Sequence, residues 1–259
     1  MCKIKNNISS NIAAKKYVGK FTPIIIFVLL NLASPFVSSK VLIFESGTYP
    51  LSYDIDGEPK GVYLDIVSEV FNDMNEPYSV VSLPFKRALY HTETNKGIVV
   101  GVYKTRDRLD KLDFSEKIYT SQDVLFVRKD SKLEYSKISD LKGKKIAVKL
   151  GWSYGHEFDR ALERGEFTTV HGNSKRNFKL LLLGRIDAFI ETRISGINKI
   201  KELGIIDSVD IINTPVNTGE HHLAVKKGEH KELIENFNEH LRNIRLDGRY
   251  DKIISGHIN

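Results

Sequence analysis

Residues 138–190 read ISDLKGKKIAVKLGWSYGHEFDRALERGEFTTVHGNSKRNFKLLLLGRIDAFI, and their pattern decides the fold class. Residues 138–143 form a helical turn with a glycine stop, 145–150 an apolar strand, and 154–164 a stretch with helical periodicity. A second strand at 168–171, a helix at 175–183 stopped by Gly184, and a buried strand at 186–190 complete the run. Strands alternating with helices at this spacing predict an α/β fold built on a mostly parallel sheet.

Upstream the same grammar appears once already. Residues 41–44 read as a strand, 45–59 as a loop rich in Gly, Pro and Ser, and 63–74 as a helix. Strands at 78–83, 97–103 and 122–128 follow, with a helix at 85–94 between the first two. Downstream, 222–226 is a strand, 231–246 an amphipathic helix stopped by Gly248, and 250–254 a short last helix. Two similar halves predict two lobes. No solenoid period and no low-complexity segment interrupts them.

The first 39 residues differ in composition from the rest. Lys3, Lys5, Lys15, Lys16 and Lys20 stand without an acidic residue, an apolar run opens at residue 24, and Val37-Ser38-Ser39 supplies small residues for cleavage. This three-part pattern predicts a signal peptide over residues 1–39. The run is interrupted by Asn31 and Pro35 and falls short of the ~20 apolar residues of a spanning helix. Those five lysines carry most of the net charge of +6, so the exported chain is expected to be nearly neutral with mixed signs. That removes the argument for nucleic acid as a partner. The one cysteine, Cys2, precedes the apolar run, where it can serve neither as a lipoprotein anchor nor in a disulfide of the exported chain.

Several ordered marks then align. They are Pro50-Leu51-Ser52-Tyr53, Asp56-Gly57 and Gly61-Val62-Tyr63-Leu64-Asp65-Ile66 in the first part, and Thr105-Arg106-Asp107-Arg108 before Leu112-Asp113-Phe114-Ser115. Leu141-Lys142-Gly143, Leu183-Gly184-Arg185-Ile186-Asp187-Ala188 and Asp247-Gly248-Arg249-Tyr250 follow in the later part. In this order and spacing the chain resembles the bacterial extracellular solute-binding proteins of family 3, the polar amino-acid ABC-transporter type, over residues 41–256. The resemblance implies a two-lobed, type II periplasmic-binding-protein fold joined by two hinge strands. Lobe 1 is expected from 40–120 and 218–259 and lobe 2 from 121–217, with crossings near 119–123 and 215–219. It also implies a monomer in the periplasm, with no cofactor and no metal, that closes on a small carboxylate-bearing ligand, an amino acid or analogue. The expected partner is an inner-membrane ABC permease.

Arg108 is the first candidate ligand residue. Thr105 is a good N-cap, and a carboxylate at the helix it starts would meet free N–H groups, the dipole and a bidentate guanidinium. On spacing alone, with Arg106 and other charges nearby, Arg108 reads sooner as a surface residue; the resemblance reverses that and assigns it the ligand carboxylate. By the same resemblance Tyr49, Tyr53 and Phe85 fall where the first lobe presents a stacking ring, and Gly101 and Tyr103 lie on the strand before Arg108. Each aromatic also reads as core. In the second lobe Trp152, Ser153 and Tyr154 follow Gly151, where relatives carry small hydroxyl residues, so a flat, apolar or smaller ligand is expected. The aspartate that relatives place five residues after Asp187 is Thr192 here, preceded by Glu191. Either Glu191 takes the ligand ammonium or the ligand is not a standard α-amino acid, because an unpaired buried ammonium is costly.

Other classes keep weaker support. Gly151-Trp152-Ser153-Tyr154-Gly155 fits the G-x-S-x-G nucleophile elbow, with Asp187 or Glu191 and His221 or His222 following in triad order, but no HGGG-type stretch precedes it. A cleft dehydratase using Glu191 is an alternative by analogy with the fold. A ligand sensor for a membrane receptor is another, although no membrane or kinase segment follows the last helix, which favours the free binding protein. His221 and His222 are adjacent and point to opposite faces of a strand, so a solvated or hinge role is expected rather than metal binding.

Overall fold

The computed structural model describes residues 39–258. The signal-peptide reading of residues 1–39 therefore lies outside the described residues except for Ser39. Ten strands and eight α-helices follow in chain order. The first part holds β1 (Lys40–Phe44), β2 (Tyr53–Ile55), β3 (Glu58–Lys60), α1 (Val62–Asp73), β4 (Tyr78–Ser82), α2 (Phe85–Glu93), β5 (Ile98–Tyr103) and α3 (Arg106–Leu109). The middle holds β6 (Leu112–Arg128), β7 (Lys145–Val148), α4 (His156–Glu163), β8 (Thr168–His171), α5 (Ser174–Leu182), β9 (Ala188–Thr192) and α6 (Arg193–Glu202). The chain returns through β10 (Val209–Lys226), α7 (Lys231–Leu246) and α8 (Arg249–Ile258).

One eight-stranded sheet runs β4-β1-β5-β10-β6-β9-β7-β8. The two ends are parallel blocks, β4-β1-β5 and β9-β7-β8. Between them β10 and β6 pair antiparallel with each other and with the adjoining blocks. At 18 and 17 residues these two strands reach from one block to the other, so the architecture is two α/β lobes on a shared seam.

Each lobe buries its own core. In the first, α1 lays Val62, Tyr63, Ile66, Val67, Val70 and Phe71 against β1, β5 and α7. Burying six such side chains, at roughly 1.5–3 kcal/mol each, outweighs the missing side-chain cap at Gly61. In the second, Leu125, Ile146, Phe158 and Ile190 fill one face of the sheet and Phe126, Phe178 and Phe189 the other. Among the described residues no helix is long and apolar enough to cross a membrane.

The structure corrects the element reading in four places. The strand expected at 122–128 begins at Leu112, and that expected at 222–226 begins at Val209. Charged residues such as Asp113, Glu116 and Lys117 hide the first extension, because that half of β6 is only partly buried. Pro215 hides the second, yet it falls in the register break between Ile212 and Asn217, where no ladder N–H is needed. The loop read at 45–59 contains the hairpin β2–β3, turned by Asp56 and Gly57, both at positive φ. Helix α6 was not anticipated: Gly196 interrupts its pattern, and a Cβ there would lie 2.0 Å from Phe126 Cζ.

Candidate functional site

The seam holds a cavity of about 30 Å³, room for on the order of two water molecules, so only a small group fits without the walls parting. Arg108, Phe85, Gly101 and Tyr103 line it from one side and Trp152 and Ser153 from the other. A wider groove of about 860 Å³ opens on the far side of Arg108, Tyr103 and Ser153.

Arg108 is the charged centre of this wall. Thr105 caps α3, its Oγ1 accepting the Arg108 N–H at 3.4 Å. The helix is a single turn, so the guanidinium rather than a dipole carries the charge. Arg108 is 9% exposed and stacks 5.1 Å from the Phe85 ring centroid. It donates to the Tyr103 carbonyl at 2.9 Å and, across the seam, to the Gly151 carbonyl at 3.2 Å. Burial lowers its pKa to about 10, which leaves it charged near neutral pH. No carboxylate of the described residues forms an ion pair with it; both of its partners are neutral carbonyls.

Phe85 and Trp152 face each other at 6.3 Å and form the apolar walls. Behind the cavity Tyr103 donates to Asp123 at 3.0 Å and lies 3.1 Å from Ser121, whose hydroxyl is 2.8 Å from His221 Nε2. Its ring has space because Gly219 faces it: a Cβ there would sit 2.2 Å from Tyr103 Cζ. Gly101 plays the same part for Tyr63, which a Cβ would approach to 2.6 Å. Burial pushes Asp123 up to about 6 despite hydrogen bonds from Tyr103 and Thr192, and holds His221 down to about 4.

Other candidates fall elsewhere. Tyr49 is 48% exposed and packs edge-on against Tyr53 at 4.8 Å, and neither lines the cavity, since Thr48 and Ser52 from the same loop do. Tyr154 turns into the second lobe's core beside Phe158 and accepts the Lys149 N–H at 2.8 Å. Thr192 donates to Asp123 at 3.1 Å behind the cavity. Glu191, 1% exposed, accepts from Lys149 Nζ at 3.0 Å, Ser174 Oγ at 2.5 Å and its neighbour's Thr192 N–H at 3.0 Å.

The elbow residues do not assemble. Ser153 donates to Asp159 of α4, Asp187 accepts the Lys145 N–H, and His221 bonds Ser121 and the Gly101 carbonyl. Neither histidine is solvated: they are 4% and 3% exposed, because the register shift between them turns both inward. Among the described residues no group of three or more His, Cys, Asp or Glu could hold a metal ion.

Besides Thr48 and Ser52, three contributors that escaped the sequence reading carry chemistry. Glu45 lines the cavity, and burial, partly opposed by Lys149, pushes its carboxyl up to about 7. Tyr63 lines it too, with a buried hydroxyl that has no hydrogen-bond partner. Lys149 stands beside Thr48 and Trp152. Tyr63 reads as one more buried position of α1, and nothing local singles out Lys149.

Two α/β lobes on a pair of long shared strands, with a buried cation and aromatic walls at the seam, define a protein of periplasmic-binding-protein architecture. Residues 41–259 match the bacterial extracellular solute-binding proteins, family 3, and the chain belongs to that family. It is 24% identical over 212 residues to the L-cystine-binding protein TcyJ of Escherichia coli (strain K12), spanning 80% of this chain and 78% of that relative. It is similar to the substrate binding protein of an amino acid ABC transporter, at TM-score 0.71 and 25% identity over 85% of this chain and 99% of that one. A histidine kinase sensor domain with similarity to periplasmic binding proteins shares the fold at TM-score 0.73 and 20% identity, over 85% and 96% of the two chains. The role of this chain, as a member of the solute-binding family, is solute binding.

Proposed function

We infer that this protein takes up a small carboxylate-bearing solute between its lobes in the periplasm and delivers it to an ABC permease of the inner membrane. The observation that carries this reading is Arg108, a nearly buried guanidinium at the cavity wall with no acidic partner among the described residues. A buried charge of this kind is stabilised by pairing, and a carboxylate matches its planar donor fork. Phe85 and Trp152 supply the apolar walls that a small-molecule site uses. Two of the similar proteins support the delivery step: TcyJ is an L-cystine-binding protein, and the solved structure at 25% identity is the substrate binding protein of an amino acid ABC transporter.

The division into lobes follows the same reading: residues 40–120 with 218–259 form one, 121–217 the other, and the middle of β6 and β10 is the hinge. Opening there separates Phe85 from Trp152 and Arg108 from Gly151, which admits a solute larger than the closed cavity. Binding is non-enzymatic in this reading. Calorimetric titration of the purified protein with small carboxylates tests it. Binding that falls at least about tenfold in Arg108→Met supports it, in line with the ~1.5–3 kcal/mol of a charged hydrogen bond, and binding untouched by that change refutes it.

A further inference from the structure

The seam already contains an ammonium group of its own. Lys149 Nζ lies 3.0 Å from Glu191 Oε2, 3.2 Å from Thr48 Oγ1 and 3.5 Å from the Gly47 carbonyl, and 4.3 Å from the Trp152 ring centroid. The lysine and glutamate side chains are 8% and 1% exposed. The cation therefore joins β9 of one lobe to the loop after β1 of the other, against two residues that line the cavity.

The acids near the cavity are correspondingly occupied. Glu191 is filled by Lys149, Ser174 and the Thr192 N–H. Asp123, fully buried, has Tyr103 on one oxygen and Thr192 on the other. Asp159 receives Ser153 and the Tyr154 N–H. Glu45 remains, a carboxyl that burial holds near 7 and that already feels the charge of Lys149. A ligand ammonium at Glu45 would stand next to that like charge, and one at Glu191 would have to strand Lys149 in a buried position without its partner.

Two donors in the same cavity lack what they need. Arg108 has no anion, and the buried Tyr63 hydroxyl has no hydrogen-bond partner. A carboxylate answers the first. An oxygen next to it, carbonyl or hydroxyl, answers the second.

Resting on the carboxylate reading of Arg108, we propose that Lys149 fills the place of a ligand ammonium, so that the solute is a 2-oxo or 2-hydroxy acid and Tyr63 selects it by donating to that oxygen. The solute's amino counterpart is excluded, because it brings a second ammonium to a site where Glu191, Asp123 and Asp159 are taken and Glu45 already feels the charge of Lys149. A site built to hydrogen-bond one group discriminates strongly against an analogue that cannot reproduce the contact.

The test is calorimetric titration of the purified protein with matched trios: pyruvate, L-lactate and L-alanine; 4-methyl-2-oxopentanoate, its 2-hydroxy analogue and L-leucine; phenylpyruvate, L-phenyllactate and L-phenylalanine. In at least one trio the oxo or hydroxy acid is expected to bind at least about tenfold tighter than the amino acid. Tyr63→Phe should weaken that binding by about fivefold or more, and Lys149→Met, which frees Glu191, should narrow the discrimination. If an amino acid binds as tightly as its partners or more tightly, the proposal fails while the carboxylate reading stands. If no member of any trio binds, the carboxylate reading fails and the proposal with it.

Discussion

Replacing Lys149 by methionine is the most informative single perturbation of the folded protein. It leaves Glu191 with its Ser174 and Thr192 hydrogen bonds but without a counter-charge, in a position 1% exposed. Breaking a buried pair from one side costs roughly 3–5 kcal/mol. The two surviving hydrogen bonds set the expectation at the lower end, about 3 kcal/mol. For a chain of this size, each kcal/mol moves the melting temperature by about 2–4 °C, so a drop of roughly 6–12 °C is expected. The double variant Lys149→Met/Glu191→Gln removes both charges and keeps the volume, which in other buried pairs is near neutral. Calorimetric melting of wild type, both single variants and the double variant closes a thermodynamic cycle. A coupling of about 2 kcal/mol or more is expected. A Lys149→Met cost under about 1 kcal/mol, or a double variant no more stable than the worse single, would refute the buried-pair reasoning.

Other outcomes follow from the same contacts. Gly219→Ala drives a methyl against Tyr103 Cζ, 2.2 Å away, and should cost about 1–3 kcal/mol in chemical denaturation, with Tyr103→Leu in the same chain recovering part of it. Tyr63→Phe, which deletes a hydroxyl without a partner, should leave the melting temperature unchanged or raised, whereas Tyr103→Phe, which deletes the donor to Asp123, should lower it. Glu45 stands near 7 in the folded chain against an ordinary 4.5, so its contribution to stability is complete below pH 4.5 and is lost as the pH rises towards 7. His221, held near 4 against 6.5, acts in the opposite sense, its contribution lost as the pH falls from 6.5 towards 4. The melting difference between wild type and Glu45→Gln isolates the carboxyl: the variant should gain on the wild type across pH 4.5–7, and a difference flat with pH would exclude the shift.

The two-lobed α/β plan was legible because its signals are local. The strand at Thr168–His171 and the helix at Lys231–Leu246 lie where periodicity and a stop residue put them. The long seam strands were half hidden because their middle is neither buried on one face nor regular in register. The Asp56-Gly57 hairpin was read as part of a loop, because its strands are only three residues each and show no clear alternation. Arg108, Phe85, Trp152 and Ser153 could be named from ordered motifs, and the structure gathers them around one cavity. Tyr63 looked like another core position of α1, and only the absence of a partner for its hydroxyl marks it out. The pairing of Lys149 with Glu191 is a property of topology: β7 lies beside β9 in the sheet, and no spacing along the chain reveals it.

The binding of a carboxylate at Arg108 is tested most directly by thermal unfolding of wild type and Arg108→Met across one panel of small carboxylates, each protein compared with its own ligand-free melting temperature. A ligand at about 100 times its Kd adds roughly 2.7 kcal/mol, which raises the melting temperature of a chain this size by about 5–10 °C. A shift of that size in the wild type, absent from Arg108→Met, is the expected result; a panel that shifts neither protein, or shifts both alike, would contradict it.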